Sequence, residues 1–281
     1  SGKVAVNPDG TLDRASMQTI INPDDMNAVE AALALKDELG CKVVAFTMGP
    51  PPAEGMLREL MAMGVDEGVL VTAREFGGSD TYATSQIIAA AIDTYGIDKD
   101  DIILAGRQAI DGDTAQVGPQ VAEKLGLTQV TYAEEILNVD KAAKKITVKR
   151  HIDGGVETVE APLPIVITVN GSAAPCRPRN AKLVQKYKRA LGAQEKAAIT
   201  KEGAGLAYAD LYEKYPYLNI TEWSVADVNG DLAQCGLSGS PTKVKAIQNI
   251  VFQAKESKTI SGSDRDVEDL IVELLANHTI G

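Results

Sequence analysis

The sequence predicts an α/β protein with a doubly wound, mostly parallel sheet, an antiparallel hairpin and a C-terminal helical arm. Three observations predict this class. Short apolar segments alternate with amphipathic helical segments up to about residue 127, the hydrophobic period then changes to two, and from about residue 170 the pattern loosens. We therefore expect an α/β domain over residues 1–190 and an arm over residues 191–281.

The first half of the chain supplies the parallel part. A helix is predicted from Asn22, which can cap it, through Pro23 at the first helical position to a stop at Gly40. The other elements predicted here are, in order, a hairpin over 3–12, a strand over 42–47, a helix over 53–63, a strand over 69–71, a helix over 80–95 capped by Ser79, and a strand over 101–105. Strands that alternate with helices in this way form a parallel sheet covered on both faces.

The second half of the chain supplies the hairpin and the arm. An antiparallel hairpin is predicted over 145–150 and 156–160, because apolar and polar residues alternate on either side of the turn Asp153-Gly154-Gly155. The apolar run 165–169 predicts a further strand added beside this hairpin. A short helix is compatible with residues 207–215, and residues 264–276 predict an amphipathic helix. Because this last helix has no core of its own, we expect the arm to pack on a partner or on the parent domain.

The overall charge and hydropathy argue against two classes of function. The net charge is −11, so an extended phosphate-binding surface, and with it a nucleic-acid partner, is not expected. No apolar run approaches the ~20 residues that span a bilayer, and no signal segment is recognisable. We therefore expect a cytoplasmic protein without membrane insertion.

The cysteines and histidines argue against metal and disulfide chemistry. Cys41, Cys176 and Cys235 are odd in number and far apart, which fits neither a disulfide framework nor a zinc site. His151 and His278 are too few for a histidine-rich metal cluster. A cysteine–histidine nucleophile is disfavoured because nothing local activates a thiol.

Two loops follow predicted strands, where open parallel sheets bind ligands. In the first, Gly49 follows Thr47 and Met48 and precedes three prolines, so the backbone there can approach a ligand closely. A stiff strand-to-helix turn explains the same residues equally well, and both interpretations remain open.

The second loop follows the strand over 101–105. Pro119 fits poorly inside a helix, so the next helix is predicted to begin near Pro119 and to run to Leu125, which leaves residues 106–118 as an exposed loop. Backbone amides around 114–118 would then be free to face a phosphate.

Charged residues in the second loop suggest how it is held. Asp111 and Asp113 would repel a phosphate, and they fit better as acceptors that staple the loop or as partners of ribose hydroxyls. Arg107 could balance them or reach a phosphate. The repeating aspartates of a calcium loop, the Walker glycine-lysine element and the GxGxxG fingerprint are all absent from the sequence.

These segments resemble the β subunits of electron transfer flavoproteins. Residues 148–168 (VKRHIDGGVETVEAPLPIVIT) fit the signature of that family along their whole length. Residues 101–119, with the core AIDGDTAQVGP, are similar to the family's adenine-nucleotide loop, and Asn22-Pro23 and 47–50 match its other two nucleotide-contacting segments. The resemblance covers residues 3–190 and implies a Rossmann-like or flavodoxin-like nucleotide-binding sheet.

The resemblance also implies a binding site without catalytic residues or metal ligands. The family begins with a short apolar strand and a loop that contributes to this site, and the present sequence starts just after the position where these would lie. The cofactor-binding residues implied in this chain are Asn22, Thr47, Met48, Gly49, Ala105, Gly106, Arg107, Gln108, Ala109, Asp111, Gly112, Asp113, Thr114, Ala115, Gln116 and Val117.

Two branches of the family differ in what fills that site. The respiratory branch holds AMP as a structural ligand, whereas the electron-bifurcating branch holds the AMP half of a second FAD. Residues 78–84 and 112–119 look like the bifurcating branch. The resemblance thus implies FAD rather than AMP, NADH as electron donor, an α subunit as partner, and ferredoxin or flavodoxin and an acyl-CoA or related dehydrogenase as acceptors. Redox chemistry is then expected only within the complex.

Two alternative functions remain compatible with the sequence. One is a non-bifurcating subunit whose AMP only stabilises the fold, and the other is a non-redox, ATP-binding stress or sensor protein on the same kind of sheet. Neither explains the match over residues 148–168 as well.

Overall fold

The computed structural model describes residues 20–110, 112–201, 209–243, 257 and 259–277. Of these, the residues up to 243 form one compact unit, and 257 and 259–277 belong to a second. The hairpin predicted over 3–12 lies outside the described residues. The division expected at residue 190, between a nucleotide-binding domain and an arm, stays a prediction.

The strands of the first unit form a parallel core with an antiparallel extension. Two hydrogen-bonded sheets have the orders β1-β2-β8 and β3-β7-β4-β5-β6. All pairs are parallel except β4-β5 and β5-β6, so the predicted α/β class with an added antiparallel hairpin is confirmed. The strands are β1 Val44–Met48, β2 Glu67–Val71, β3 Ile102–Gly106, β4 Thr128–Asp140, β5 Lys145–Ile152, β6 Gly155–Pro162, β7 Ile165–Val169 and β8 Thr221–Trp223.

Helices cover the parallel strands, and one helix lies among the described residues of the second unit. No helix among the described residues is long and apolar enough to cross a membrane. The helices are α1 Pro23–Leu39, α2 Glu54–Met63, α3 Thr81–Tyr95, α4 Val117–Leu125, α5 Ala181–Tyr187, α6 Ala193–Lys201, α7 Asp210–Lys214, α8 Gly236–Gly239 and, in the second unit, α9 Asp264–Ala276.

Strand β3 lies between two helical layers. Ile102 and Leu104 pack against the core cluster that contains Ala28 of α1, whereas Ile103 packs against a different cluster, which contains Val121 of α4. Successive side chains of a strand point to opposite faces, so α1 and α4 cover the two sides of the same strand. The end of β3 is thereby fixed between the starts of α1 and α4.

Three local predictions differ from the structure. Asn22 precedes α1, but its side chain makes no capping hydrogen bond. Asp80 rather than Ser79 caps α3, because its carboxylate accepts from the Ala83 amide while the Ser79 hydroxyl donates to a carbonyl oxygen. Helix α4 begins at Val117, before Pro119, because a proline is tolerated in the first turn, where the amide has no intrahelical partner.

The position of β7 in the sheet also differs from the one predicted from the sequence. The sequence pattern places residues 165–169 beside the hairpin as an addition to the sheet, but β7 is central: it pairs in parallel with both β3 and β4, and all its residues are buried. Strand β4, which is not predicted, contains register shifts between Ala133 and Glu135 and between Ile136 and Asn138, which break the alternation that marks a strand.

Arg177 fastens the segment after β7 to α1. Its Nε and Nη2 atoms donate to Glu30 at 2.9 and 2.8 Å, and its Nη1 donates to Asp37 at 2.7 Å. On the same helix, the Asn27 amide donates to the carbonyl of Ala173 at 3.0 Å. Hydrogen bonds from Arg177 hold the pKa of Glu30 below its ordinary value.

Arg177→Gln is expected to lower the free energy of unfolding by about 1 kcal/mol at pH 7, since the guanidinium is one-third exposed to solvent. Glu30 titrates at a lower pH in the folded chain than in the unfolded chain, so its contribution is present above the unfolded pKa and is lost as the pH falls. Urea unfolding from about pH 3.5 to about pH 7, followed through the fluorescence of Trp223, measures how the stability difference between the variant and the wild type depends on pH.

Lys141→Gln, which removes the same charge from an exposed turn, is the matched control and should have little effect. A stability difference between Arg177→Gln and the wild type that stays constant down to the lowest pH would contradict the assignment to Glu30.

Candidate functional site

The end of β3 lies directly against the start of α1. The Gly106 amide donates to Asp25 Oδ1 at 2.6 Å. A Cβ atom on Gly106 would be only 2.5 Å from the Asp25 nitrogen and 2.6 Å from the carbonyl carbon of Asp24. Only glycine fits here, so the loop after β3 leaves the sheet in contact with the first turn of α1.

Asn22 joins α1 to the same loop. Its Nδ2 donates to the Gln108 carbonyl at 2.8 Å and to Asp25 Oδ2 at 3.0 Å. Its Oδ1 is buried and has no hydrogen-bond partner among the described residues. Buried carbonyl oxygens are normally paired, so this atom is suited to accept a hydrogen bond from a ligand.

Arg107 is fixed by three elements. Its backbone amide donates to the Val169 carbonyl at 2.8 Å, its Nε donates to Asp24 Oδ2 at 3.2 Å, and its guanidinium lies 6.0 Å from the centre of the Tyr132 ring. The acid that balances Arg107 in the described residues is therefore Asp24 of α1, and the expected balance with Asp113 is not seen. Asp111 lies outside the described residues.

The loop before α4 is stapled and locally strained. Asp113 accepts from Gln108 Nε2 at 3.0 Å, which is a stapling contact of the expected kind, and its amide donates to the Ala109 carbonyl at 2.9 Å. Asp113 and Ala115 have φ angles of +51° and +52°. Such angles are uncommon outside glycine, and strained residues cluster at ligand sites.

The remaining loop residues differ in what they can offer a ligand. Gly112 and Thr114 are exposed, whereas the Val117 side chain packs into the core beside Ile103 and leaves only its backbone available. Amides in the first turn of α4 have no intrahelical acceptor and can face an anion. Ala105 lies in β3, within the sheet.

The residues at the end of β1 are not joined to this cluster. Gly49 donates to the Val71 carbonyl at 3.1 Å, and Thr47 and Met48 pair with β2. Within the described residues, no hydrogen bond links these three to the loop after β3. The structure thus brings Asn22 together with the loop after β3, and it leaves 47–49 at the end of a separate strand.

Sequence reasoning missed three side chains at the site. Asp24 and Asp25, in the first turn of α1, accept hydrogen bonds from Arg107 and from the Gly106 amide. Burial raises the pKa of Asp25, although hydrogen bonds from Gly106 and Asn22 act in the opposite direction. Thr81, at the start of α3, donates to Gln116 Oε1 at 3.0 Å. No local signal marks these contacts, because each partner is distant in sequence.

Metal ligands do not converge here. No group of three or more histidine, cysteine, aspartate or glutamate side chains in the described part of the chain could hold a metal ion. The site instead combines backbone amides, one arginine and an amide oxygen without a partner in the described part of the chain. These groups suit a ligand that has an anionic part and a polar heterocycle or sugar.

Comparison with known proteins identifies the family. The family described as Electron transfer flavoprotein domain matches residues 9–203. The chain belongs to the electron transfer flavoprotein family. It is 48% identical to the acryloyl-CoA reductase electron transfer subunit gamma of Anaerotignum propionicum, over 100% of this chain and 95% of that protein.

Two further relatives are each 42% identical to this chain. They are the electron transfer flavoprotein subunit beta of Clostridium acetobutylicum, over 87% of this chain and 82% of that protein, and the caffeyl-CoA reductase-Etf complex subunit CarD of Acetobacterium woodii, over 87% and 81%. This chain is accordingly an electron-transfer subunit of the β type, as the resemblance over residues 148–168 indicated.

Proposed function

We propose that this chain is the β subunit of a heterodimeric electron transfer flavoprotein that binds FAD at the loop after β3. It takes electrons from NADH and passes them to ferredoxin or flavodoxin and to an acyl-CoA-type or related dehydrogenase, by flavin-based electron bifurcation. The single observation that carries the proposal is the buried Oδ1 of Asn22, which has no hydrogen-bond partner among the described residues and lies beside the loop in which Asp113 and Ala115 have positive φ angles.

The residues at this loop fit the AMP half of the cofactor. Asn22 Oδ1 accepts a hydrogen bond from a donor such as the adenine amino group or a ribose hydroxyl. The amides at the start of α4 and the Arg107 guanidinium suit the phosphates, while Asp24 and Asp25 keep Arg107 and Gly106 in place. A bound flavin supplies the redox chemistry, and the protein supplies binding and orientation.

The names of two relatives support the choice of acceptor. One is a subunit of an acryloyl-CoA reductase system and another is a subunit of a caffeyl-CoA reductase complex. We propose that this chain likewise serves an enzyme acting on a CoA thioester.

Helix α9 supports a role for the arm in binding the α subunit. Taken by itself, α9 has no buried residue, and its apolar side chains Val267, Ile271, Val272 and Leu275 are exposed. Exposed apolar stripes of this kind mark interaction surfaces. We propose that residues 191–281 include the segment that packs on the α subunit.

The composition of the purified complex tests the proposal. The chain is co-purified with its α subunit, the complex is denatured, and the released nucleotides are identified by chromatography. Two FAD per heterodimer are expected. One FAD with one AMP would leave a simple electron shuttle with a structural nucleotide, and ATP without flavin would contradict a redox role.

Asn22→Ala is expected to weaken AMP binding to the nucleotide-depleted heterodimer about tenfold, because it removes the buried acceptor and the link to Gln108. Isothermal titration measures the dissociation constant. Asn27→Ala is the control, since Asn27 lies on the same helix but contacts Ala173 and Ala174 instead. Equal affinities of the Asn22→Ala variant and the wild type would exclude Asn22 from the site.

A further inference from the structure

The start of α3 is held by a clasp segment, residues 236–242. The Asp80 amide donates to Ser240 Oγ at 2.8 Å. Asp80 Oδ2 accepts from the amide and the hydroxyl of Thr242 at 2.9 and 2.6 Å. Its other oxygen, Oδ1, accepts from the Ala83 amide at 3.0 Å and caps α3. One carboxylate therefore fixes both the helix start and the clasp segment.

The segment just before α3 packs closely against the clasp segment. A Cβ on Gly78 would lie 2.6 Å from Leu237, and a Cβ on Gly236 would lie 2.3 Å from the Glu75 carbonyl oxygen. Burial acts to raise the pKa of Asp80, but hydrogen bonds from Thr242 and from the Ala83 amide hold it below the ordinary value. The carboxylate is thus ionised at neutral pH, which strengthens its hydrogen bonds.

The next residue points from this fixed helix start to the candidate nucleotide loop. Thr81 Oγ1 donates to Gln116 Oε1 at 3.0 Å. Gln116 directly precedes α4, where the free amides of the first turn lie. With its oxygen occupied by Thr81, the Gln116 side chain has its NH₂ group left to donate to an oxygen atom of a ligand.

We propose that Thr81 is a positioning residue for nucleotide binding, which orients the Gln116 amide, and that Asp80 and the clasp segment hold Thr81 in place. Retention of the nucleotide then depends on Thr242, although Thr242 need not touch the ligand. This inference rests on the proposed function, because it assumes that the loop containing Gln116 binds a nucleotide.

Titration of AMP into the nucleotide-depleted heterodimer tests the role of Thr81. Thr81→Val, which keeps the shape but removes the hydroxyl, is expected to raise the dissociation constant threefold to tenfold, or roughly the value of one hydrogen bond. Thr81→Ser keeps the hydroxyl and should stay within about twofold of the wild type. The control is Thr94→Val, an exposed position in the last turn of α3, which should leave binding unchanged.

The outcomes separate this inference from the proposed function. A wild-type heterodimer that binds no nucleotide would contradict the proposed function itself. Wild-type binding that Thr81→Val leaves unchanged would overturn only the positioning role. Weak binding by both Thr81→Val and Thr81→Ser would also overturn it, because the loss would then follow packing rather than the hydroxyl.

A double-mutant comparison tests the contribution of the clasp segment. Thr242→Val alone is expected to raise the dissociation constant for AMP about threefold, and to add little in the Thr81→Val background because both changes act through one chain of contacts. If the fold-change in the dissociation constant of the double variant equals the product of the two single fold-changes, the link between Thr242 and Thr81 through Asp80 is overturned. Melting temperatures of all variants are measured alongside, so that a general loss of folding is distinguished from a loss of binding.

Discussion

Gly106→Ala is expected to destabilise the first unit by about 3–5 kcal/mol and to abolish nucleotide binding. The added methyl group would meet backbone atoms of Asp24 and Asp25 at 2.5–2.6 Å, and backbone atoms cannot rotate away. Overpacking of this kind costs about 1–3 kcal/mol, and losing the charge-assisted hydrogen bond from Gly106 to Asp25 costs about 1.5–3 kcal/mol more. Urea unfolding followed through Trp223 measures the loss.

Gly112→Ala is the matched control for this experiment. Gly112 lies in the same loop, but a Cβ there would meet no atom within 4 Å. The unfolding free energy of the Gly112→Ala variant should stay within about 0.5 kcal/mol of the wild-type value. If the Gly106→Ala variant were as stable as the Gly112→Ala variant, this would contradict the close contact between Gly106 of β3 and the first turn of α1.

Glu54→Ala is expected to cost about 3 kcal/mol. The Glu54 side chain is 2% exposed, forms an ion pair with Arg58, and accepts from the Gly192 amide at 2.7 Å. Its removal leaves the buried Gly192 amide without an acceptor and the Arg58 guanidinium, whose side chain is 30% exposed, without its carboxylate. Thermal or urea unfolding measures the difference, and Glu54→Gln should recover about half of it because the acceptor for Gly192 is kept.

Glu59→Ala provides the comparison on the same helix. Glu59 pairs with Arg179 at 3.7 Å, and both side chains are about half exposed, so its loss should cost less than about 0.5 kcal/mol. Equal costs for Glu54→Ala and Glu59→Ala would mean that burial of Glu54 does not determine its contribution.

The elements that could be predicted from the sequence are those whose apolar pattern and capping residues lie within the element itself. Helix α9 has the predicted bounds, Asp264–Ala276, because its apolar period and its cap both lie within the segment: Ser263 accepts from the Asp266 amide. The strands predicted over 42–47, 69–71 and 101–105 are present, with ends that differ by about one or two residues.

The features that the sequence could not predict depend on distant partners. Strand β8 has three residues and exists through its pairing with β2, far earlier in the chain. The choice of Asp80 over Ser79 as the cap of α3 follows from the clasp segment, since Thr242 binds Asp80. Residues of the candidate site were suggested by resemblance, but the roles of Asp25 and Thr81 come from contacts that no spacing in the sequence indicates.

The order of strands has a consequence for how the chain folds. In the hairpin of β5 and β6, Ile152 pairs with Gly155 across a tight turn, so only a short loop must close. Hairpins form within about 1–10 microseconds. Strand β7 instead pairs with β3, where Ile165 lies opposite Ile102, and the whole hairpin lies between these two residues in the sequence. Closing this longer loop carries the larger entropic cost, so we expect the insertion of β7 between β3 and β4 to set the folding barrier, with the hairpin already formed.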